Sequence, residues 1–212
     1  LLEENIIKNK FMERKTKNFY GVEFNVYTET KIEGDFIHPE EAVYFENDVE
    51  ITGNLKVKYL KCEKSIKVGG NYIVEKWEEI GGYQEVGWYQ EIGGYQEIGE
   101  YQKIGKYQEI GGYQEIGEYQ KIGGSLKAKS SRVGLYSKVK GEYNVEGRVF
   151  IGVCEWKETT EEEETLTCGK FVSGRLMYGK LKEIGLPEEK PVGKKVKIRL
   201  PKGTIIEGEL IE

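Results

Sequence analysis

Few residues in this chain have the type and spacing that chemistry needs. The single histidine, His38, stands before a proline in "DFIHPEE", with no readable nucleophile or metal partner, and reads as a solvent-exposed loop residue. The three cysteines, Cys62, Cys154 and Cys168, lie at no metal-ligand spacing. Cys154 and Cys168 bracket "EWKETTEEEETLT", so a hairpin there would bring them together; two free thiols are the alternative. The Gly-Gly pairs lack the Lys-Ser/Thr ending of a phosphate loop and read as corners. Glu79, Glu97 and Glu115 recur at eighteen-residue steps, either as a solvated acidic stripe or as a column that could hold a divalent cation. What remains is recognition by aromatic rings. Tyr83, Tyr89, Tyr95, Tyr101, Tyr107, Tyr113 and Tyr119 recur every six residues. They form either ladders that stabilise adjacent coils or a contact surface for a partner. No catalytic residue, cofactor-binding residue or metal ligand is expected.

The tyrosines belong to an array. Eight hexapeptides fill residues 77–124, from WEEIGG through YQEVGW to YQKIGG. Shifting residues 83–106 by six or by twelve matches 17 of 24 positions, and shifting by eighteen matches 20. The period is therefore three hexapeptides, the mark of a solenoid. Six residues per side and eighteen per coil predict an all-β, three-sided parallel β-helix. Gly in every hexapeptide, and twice in four of the eight, excludes an α-helix, and the absence of Pro from the array excludes collagen.

Each hexapeptide reads as a strand, Tyr-Gln-Glu-Ile, followed by a glycine corner. Side chains alternate faces along a strand, so Gln and Ile share one side and Tyr and Glu or Lys share the other. Only Gln and Ile inward avoids burying charge. The expected inner columns carry Ile92, Ile98, Ile104, Ile110, Ile116 and Ile122 beside Gln84, Gln90, Gln96, Gln102, Gln108, Gln114 and Gln120. Glutamines stacked about 4.8 Å apart can bond amide to carbonyl up each column, which fixes register, because a slipped coil leaves amides unpaired. Glycine at the corner is expected to supply positive backbone angles. An ice-binding face would want rows of Thr, and the array has none.

Alternation extends outside the array and predicts coils over 48–153, about five to seven of them, a rod on the order of 25–35 Å long. Residues 1–47 are expected to form an N-terminal cap, with a short helix over 1–18 and then irregular strands and turns. Residues 154–212 are expected to form a hairpin-rich C-terminal cap, with a solvated loop at "KETTEEEETL" and a hairpin around Pro201-Lys202-Gly203.

Hydrophobic content of 38% is low for a compact globule and suits an elongated one. Charged residues make up 33% with a net charge of −5, and the basic ones are scattered, so no nucleic-acid footprint is expected. No apolar run is long enough to span a bilayer. The chain starts with Leu, which fits a trimmed or processed start, and "LLEENIIKNKF" has no secretory pattern. With three cysteines, a cytoplasmic location is the expectation.

The run Ile-Gly-x-x-x-x over residues 66–128 resembles the hexapeptide repeat of left-handed β-helix acyltransferases. Gln replaces the small or aliphatic residue two before Ile, and no histidine lies in these coils. The resemblance therefore implies the fold without the acyl-transfer chemistry, which stays a remote alternative. The wider pattern "ITGNLKVKYLKCEKSIKVGGNYIVE" resembles bactofilins, bacterial polymer-forming proteins with a three-sided right-handed β-helix that stacks end to end. Sixfold spacing with Gly after Ile points to a left-handed helix, and the rule for parallel crossovers points to a right-handed one. The first functional expectation is a non-enzymatic scaffold that associates with itself, as an oligomer or filament, through coil ends or tyrosine ladders. The alternative is a binding module for a protein or glycan, adhesin-like or phage-fibre-like.

Overall fold

The computed structural model describes residues 15–154 and 156–186, together with the backbone of the strands Lys194–Arg199 and Ile205–Leu210. The described residues form a parallel β-solenoid with three strands per coil and no helix. Each strand pairs in parallel with the strand one coil away: Gln84 with Gln102, Gln90 with Gln108, Gln96 with Gln114. The step is eighteen residues through the array and seventeen where Val49 meets Ile66 or Gln120 meets Ser137.

The first face stacks Lys31–Ile32, Val49–Ile51, Ile66–Val68, Gln84–Val86, Gln102–Ile104 and Gln120–Ile122. It continues with the starts of the long strands Ser137–Ile151 and Thr165–Tyr178, and ends with Lys180–Glu183. That makes about nine coils, a rod on the order of 40 Å. This exceeds the expected five to seven, because the outer coils keep corner glycines but not the eighteen-residue spacing: Gly34 to Gly53 is 19 residues and Gly141 to Gly169 is 28. Ser137–Ile151 bends round all three faces as one strand, pairing with Gln120, Leu126 and Ser131 in turn.

Parallel pairing reaches beyond 48–153. Asn25 pairs with Val43 and Val43 with Leu60 at one end, and Leu166 pairs with Leu181 at the other. Of the helix expected over 1–18, Thr16–Phe19 is instead a strand, antiparallel to Val22–Tyr27, and residues 1–14 lie outside the described residues. The turn between these strands has positive φ at both Tyr20 (54°) and Gly21 (79°), as a tight hairpin turn requires. This hairpin lays Phe19 and Phe24 against Tyr44, Tyr59 and Trp77 on the outside of the third face. The charged run leaves the coil as a largely exposed loop between Ile151 and Thr165. Lys194–Arg199 and Ile205–Leu210 pair antiparallel; the Pro201-Lys202-Gly203 turn between them lies outside the described residues.

The core is one continuous column of buried, mostly aliphatic side chains with aromatic rings towards its ends, and the array isoleucines are almost fully covered. The corner glycines serve a different purpose from the one expected. None in the array has positive φ. A Cβ on Gly105 would instead collide with the backbone carbonyl of Gly87 one coil below, and one on Gly117 with that of Gly99. Glycine stands here because successive coils touch at the corner.

Candidate functional site

Inside the array, Gln84, Gln90, Gln96, Gln102, Gln108, Gln114 and Gln120 are all buried. Their bonds do run up the columns: Gln102 Nε2 donates to Gln84 Oε1 at 2.8 Å, and Gln108 to Gln90 at 2.8 Å. They also cross between faces. Gln102 donates to Gln90 (3.1 Å), Gln108 to Gln96 (2.9 Å) and Gln120 to Gln108 (3.1 Å). Three ladders thus merge into one braced network, because the core is narrow enough for side chains from adjacent faces to meet.

The network has a direction. In every bond the donor amide comes later in the chain than the acceptor carbonyl. Its first member must therefore accept without donating, and position 78 carries Glu where the repeat has Gln. The Glu78 carboxylate accepts from Gln84 (3.1 Å), Gln90 (3.2 Å), Gln96 and the Tyr72 hydroxyl. Burial pushes its pKa from the ordinary 4.5 up to about 7, opposed by the bonds from Tyr72, Gln96 and Gln84. At the far end Ser137 donates its hydroxyl to Gln120 Oε1 at 2.8 Å. Gln114 Oε1 and the Ser131 and Tyr143 hydroxyls are buried there without a partner.

Outside, the seven tyrosines behave differently from one another. Tyr95 and Tyr113 stack with centroids 5.6 Å apart and planes 13° apart, and their hydroxyls donate to Glu97 (2.8 Å) and Glu115 (3.0 Å). Burial and the adjacent carboxylates raise both phenols, Tyr113 to about 12. Tyr89 donates to Glu91 at 3.2 Å and is likewise raised to about 12, chiefly by burial. Tyr119 packs on Tyr136, and Lys121 lies between the Tyr101 and Tyr136 rings. Tyr107 and Tyr83 are exposed, 55% and 56%. Trp77 does not lead the Tyr95 column ring on ring; it turns to Tyr20, Phe24 and Tyr59. Trp88 is exposed with Lys106 over its ring at 3.9 Å.

The acidic column is closed at both ends by cations, Lys61 on Glu79 and Arg132 on Glu115 (3.3 Å). Among the described residues no group of three or more His, Cys, Asp or Glu is arranged to hold a metal ion. All three cysteines are free. Cys168 stacks in parallel register on Val139 rather than in a hairpin, and burial pushes the Cys62 and Cys168 thiols up to about 11.

His38 differs from the expectation. It is half-buried in the strand Phe36–Phe45 and paired with Val57, its ring 4.5 Å from Phe36. A bulge between His38 and Ala42 brings Glu41 to its Nδ1 at 3.2 Å, while Asn25 and Tyr27 donate to the other Glu41 oxygen. The residues meet through parallel pairing of Val22–Tyr27, Phe36–Phe45 and Leu55–Cys62, which begins N-terminal to the expected coils.

Stacked parallel coils around a buried amide network define the class: a β-solenoid repeat protein. Comparison with protein-family models, with curated proteins and with solved structures gave no match to this chain.

Proposed function

We propose that this chain is a non-enzymatic scaffold, a stiff β-solenoid that associates with a second copy through its C-terminal coil. The supporting observation is the contrast between the two ends. At the N-terminal end Tyr27, Phe36 and Phe45 plug the core with rings 5.1–5.6 Å apart, beside the polar group of Glu41, His38 and Asn25. At the C-terminal end Val172, Met177, Tyr178, Leu181, Ile184 and Leu186 are 42–54% exposed. Beyond Phe171 and Leu176 the second and third faces gain no further paired strand among the described residues. An apolar edge with unpaired backbone groups is a template for another chain. A second copy related by a twofold axis would cover it with the same residues and close the assembly.

A bactofilin-like polymer would need both ends to accept a neighbour, and the plugged N-terminal end favours the closed pair. Light scattering over a concentration series, with electron microscopy, tests the reading. Twice the mass of one chain, lost in Met177→Glu and Leu181→Lys, is expected. A strict monomer at high concentration overturns it, and turnover of an acyl-CoA by the pure protein overturns its non-enzymatic part.

A further inference from the structure

The tyrosine column that leads into the first face stops short. Reading along that corner from the N-terminal side, the residues are Asp48, Ser65, Tyr83, Tyr101, Tyr119 and Tyr136. Four rings are followed, below Tyr83, by two small side chains. The backbone keeps its stacking across the step: Ser65 N–H donates to Asp48 Oδ1 at 3.0 Å, and Tyr83 N–H donates to Ser65 Oγ at 3.2 Å. The missing ring volume is open. A groove of about 760 Å³ lies at the step, with Tyr83 and Tyr101 on one side and Asn47, Asp48, Lys64 and Ser65 around it. Sites for small ligands fall in the range of roughly 300–1,000 Å³.

Two features of the groove define what it would take. The first is the Tyr83 ring. It is 56% exposed, and among the described residues it makes no ring contact and no side-chain hydrogen bond, whereas Tyr119 packs on Tyr136 and Tyr101 faces Lys121. A flat apolar face is thus offered where the column ends. The second is the polar rim. Ser65 Oγ accepts from the backbone and keeps its hydroxyl proton to donate. Asp48 uses one carboxylate oxygen, leaving the other to accept. Asn47 spends its Nδ2 on the Thr28 carbonyl at 3.3 Å, leaving Oδ1. The charges cancel locally: Lys67 pairs with Glu50 at 3.4 Å and Lys103 with Glu85 at 2.6 Å, which leaves Asp48 and Lys64, one of each sign. An aromatic face beside dense, charge-balanced donors and acceptors suits a ring that is apolar on its face and hydroxylated at its edge.

We propose that this groove binds a neutral oligosaccharide, one pyranose of which stacks on Tyr83 in the place a tyrosine at position 65 would fill. The site lies on the side of the rod, away from the C-terminal coil, and does not depend on self-association.

The experiment titrates the full chain with soluble β-1,4-linked glucose, xylose and mannose hexasaccharides. An oligogalacturonate serves as the anionic control. Calorimetry and saturation-transfer NMR are the readouts. Binding of at least one neutral sugar is expected, weakened at least tenfold by Tyr83→Ala and by Ser65→Tyr, which extends the tyrosine column into the groove. Tyr107→Ala, an equally exposed tyrosine at another corner, should leave binding intact, and circular dichroism should show all three variants folded. The proposal is overturned if no neutral sugar binds at millimolar concentration. Preference for the galacturonate, or loss in Tyr107→Ala equal to that in Tyr83→Ala, overturns it as well.

Discussion

Gln96 sits one coil above Glu78 in parallel register and donates its side-chain amide to the Glu78 carboxylate. The same carboxylate collects Gln84, Gln90 and Tyr72. At the other end of the network Ser137 donates to Gln120. A chain of amides aligned head to tail needs a pure acceptor at its start and a donor at its finish, and here the sequence breaks its repeat at both places. The aligned amides direct their N–H ends toward Glu78, which favours negative charge there and opposes the cost of burying it.

That position makes Glu78 couple stability to pH. Burial raises Glu78 from 4.5 to about 7, so between these values the folded chain holds a proton that the unfolded chain has released. A group with a raised folded-state pKa stabilises fully below the unfolded value and loses that contribution as pH rises through the folded one. The loss amounts to about 3 kcal/mol, complete above pH ~7. Exposed carboxylates such as Glu33 and Glu163 shift downward and act in the opposite sense, so the wild type alone would blur the effect. The difference between wild type and Glu78→Gln isolates it. In urea unfolding, the variant should gain on the wild type by about that amount between pH 4 and pH 8. A difference that stays constant with pH would mean that Glu78 titrates in the folded chain as it does in the unfolded one.

The bracing between faces predicts a steep cost for breaking the network in its middle. Gln102 donates to Gln84 and Gln90 and accepts from Gln114 (3.2 Å) and Gln120 (3.0 Å). Gln102→Leu fills the same space but removes all four bonds from a site closed to solvent. A loss of roughly 2–4 kcal/mol is expected, comparable to truncating a buried aliphatic residue. Thermal unfolding of Gln102→Leu beside Ile104→Ala makes the comparison. A Leu variant as stable as wild type would mean that the amides contribute register without stability.

The eighteen-residue period, the inward Gln and Ile and the outward Tyr were legible, because a strict repeat states which positions stack. Three things were not. The diagonal bonds depend on how closely three faces converge, a distance that no column of letters contains. The coils around Val43 and Leu166 were hidden, because their spacing leaves the repeat: Lys31 stacks on Glu50 nineteen residues on, and Val139 on Cys168 twenty-nine on, across the charged loop. His38 looked isolated because its partners, Asn25 and Tyr27, approach through a strand pairing and a bulge that follow no repeat.

The reason for the corner glycine is also testable, since two adjacent glycine positions differ. A Cβ on Gly105 would lie 1.8 Å from the Gly87 carbonyl oxygen, too close for any side chain. One on Gly112 would lie 2.7 Å from the Gly94 oxygen, an approach that a small shift of the corner relieves. That second position already carries Trp88, Glu100, Lys106 and Glu118 in other repeats. Gly105→Ala should therefore cost about 2 kcal/mol or more through backbone displacement, while Gly112→Lys should cost less than about 1 kcal/mol. Chemical denaturation of both variants checks this. Equal losses would mean that both glycines serve a conformation rather than a close contact.

The number of coils should be open to change by whole turns. Removing residues 95–112 takes out one complete turn and joins Gly94 to Tyr113. Lys121 then stacks on Glu85 where Lys103 did, and Lys127 on Glu91 where it had met Glu109, so both opposite-charge pairs survive. Gln114 arrives one coil above Glu78 and inherits the bond that Gln96 made. Because each coil contacts only its neighbours, the shortened chain should fold cooperatively with a rod shorter by about 4.8 Å. Deleting only residues 95–100 keeps the hexapeptide rhythm but turns the C-terminal coils by one face. Glu109 then stacks on Glu85 where Lys103 had been, and Arg132 no longer stands above the Glu79 column. Circular dichroism and small-angle scattering should find the eighteen-residue deletion more stable than the six-residue one. The opposite order would mean that the unit of this fold is the hexapeptide and not the coil.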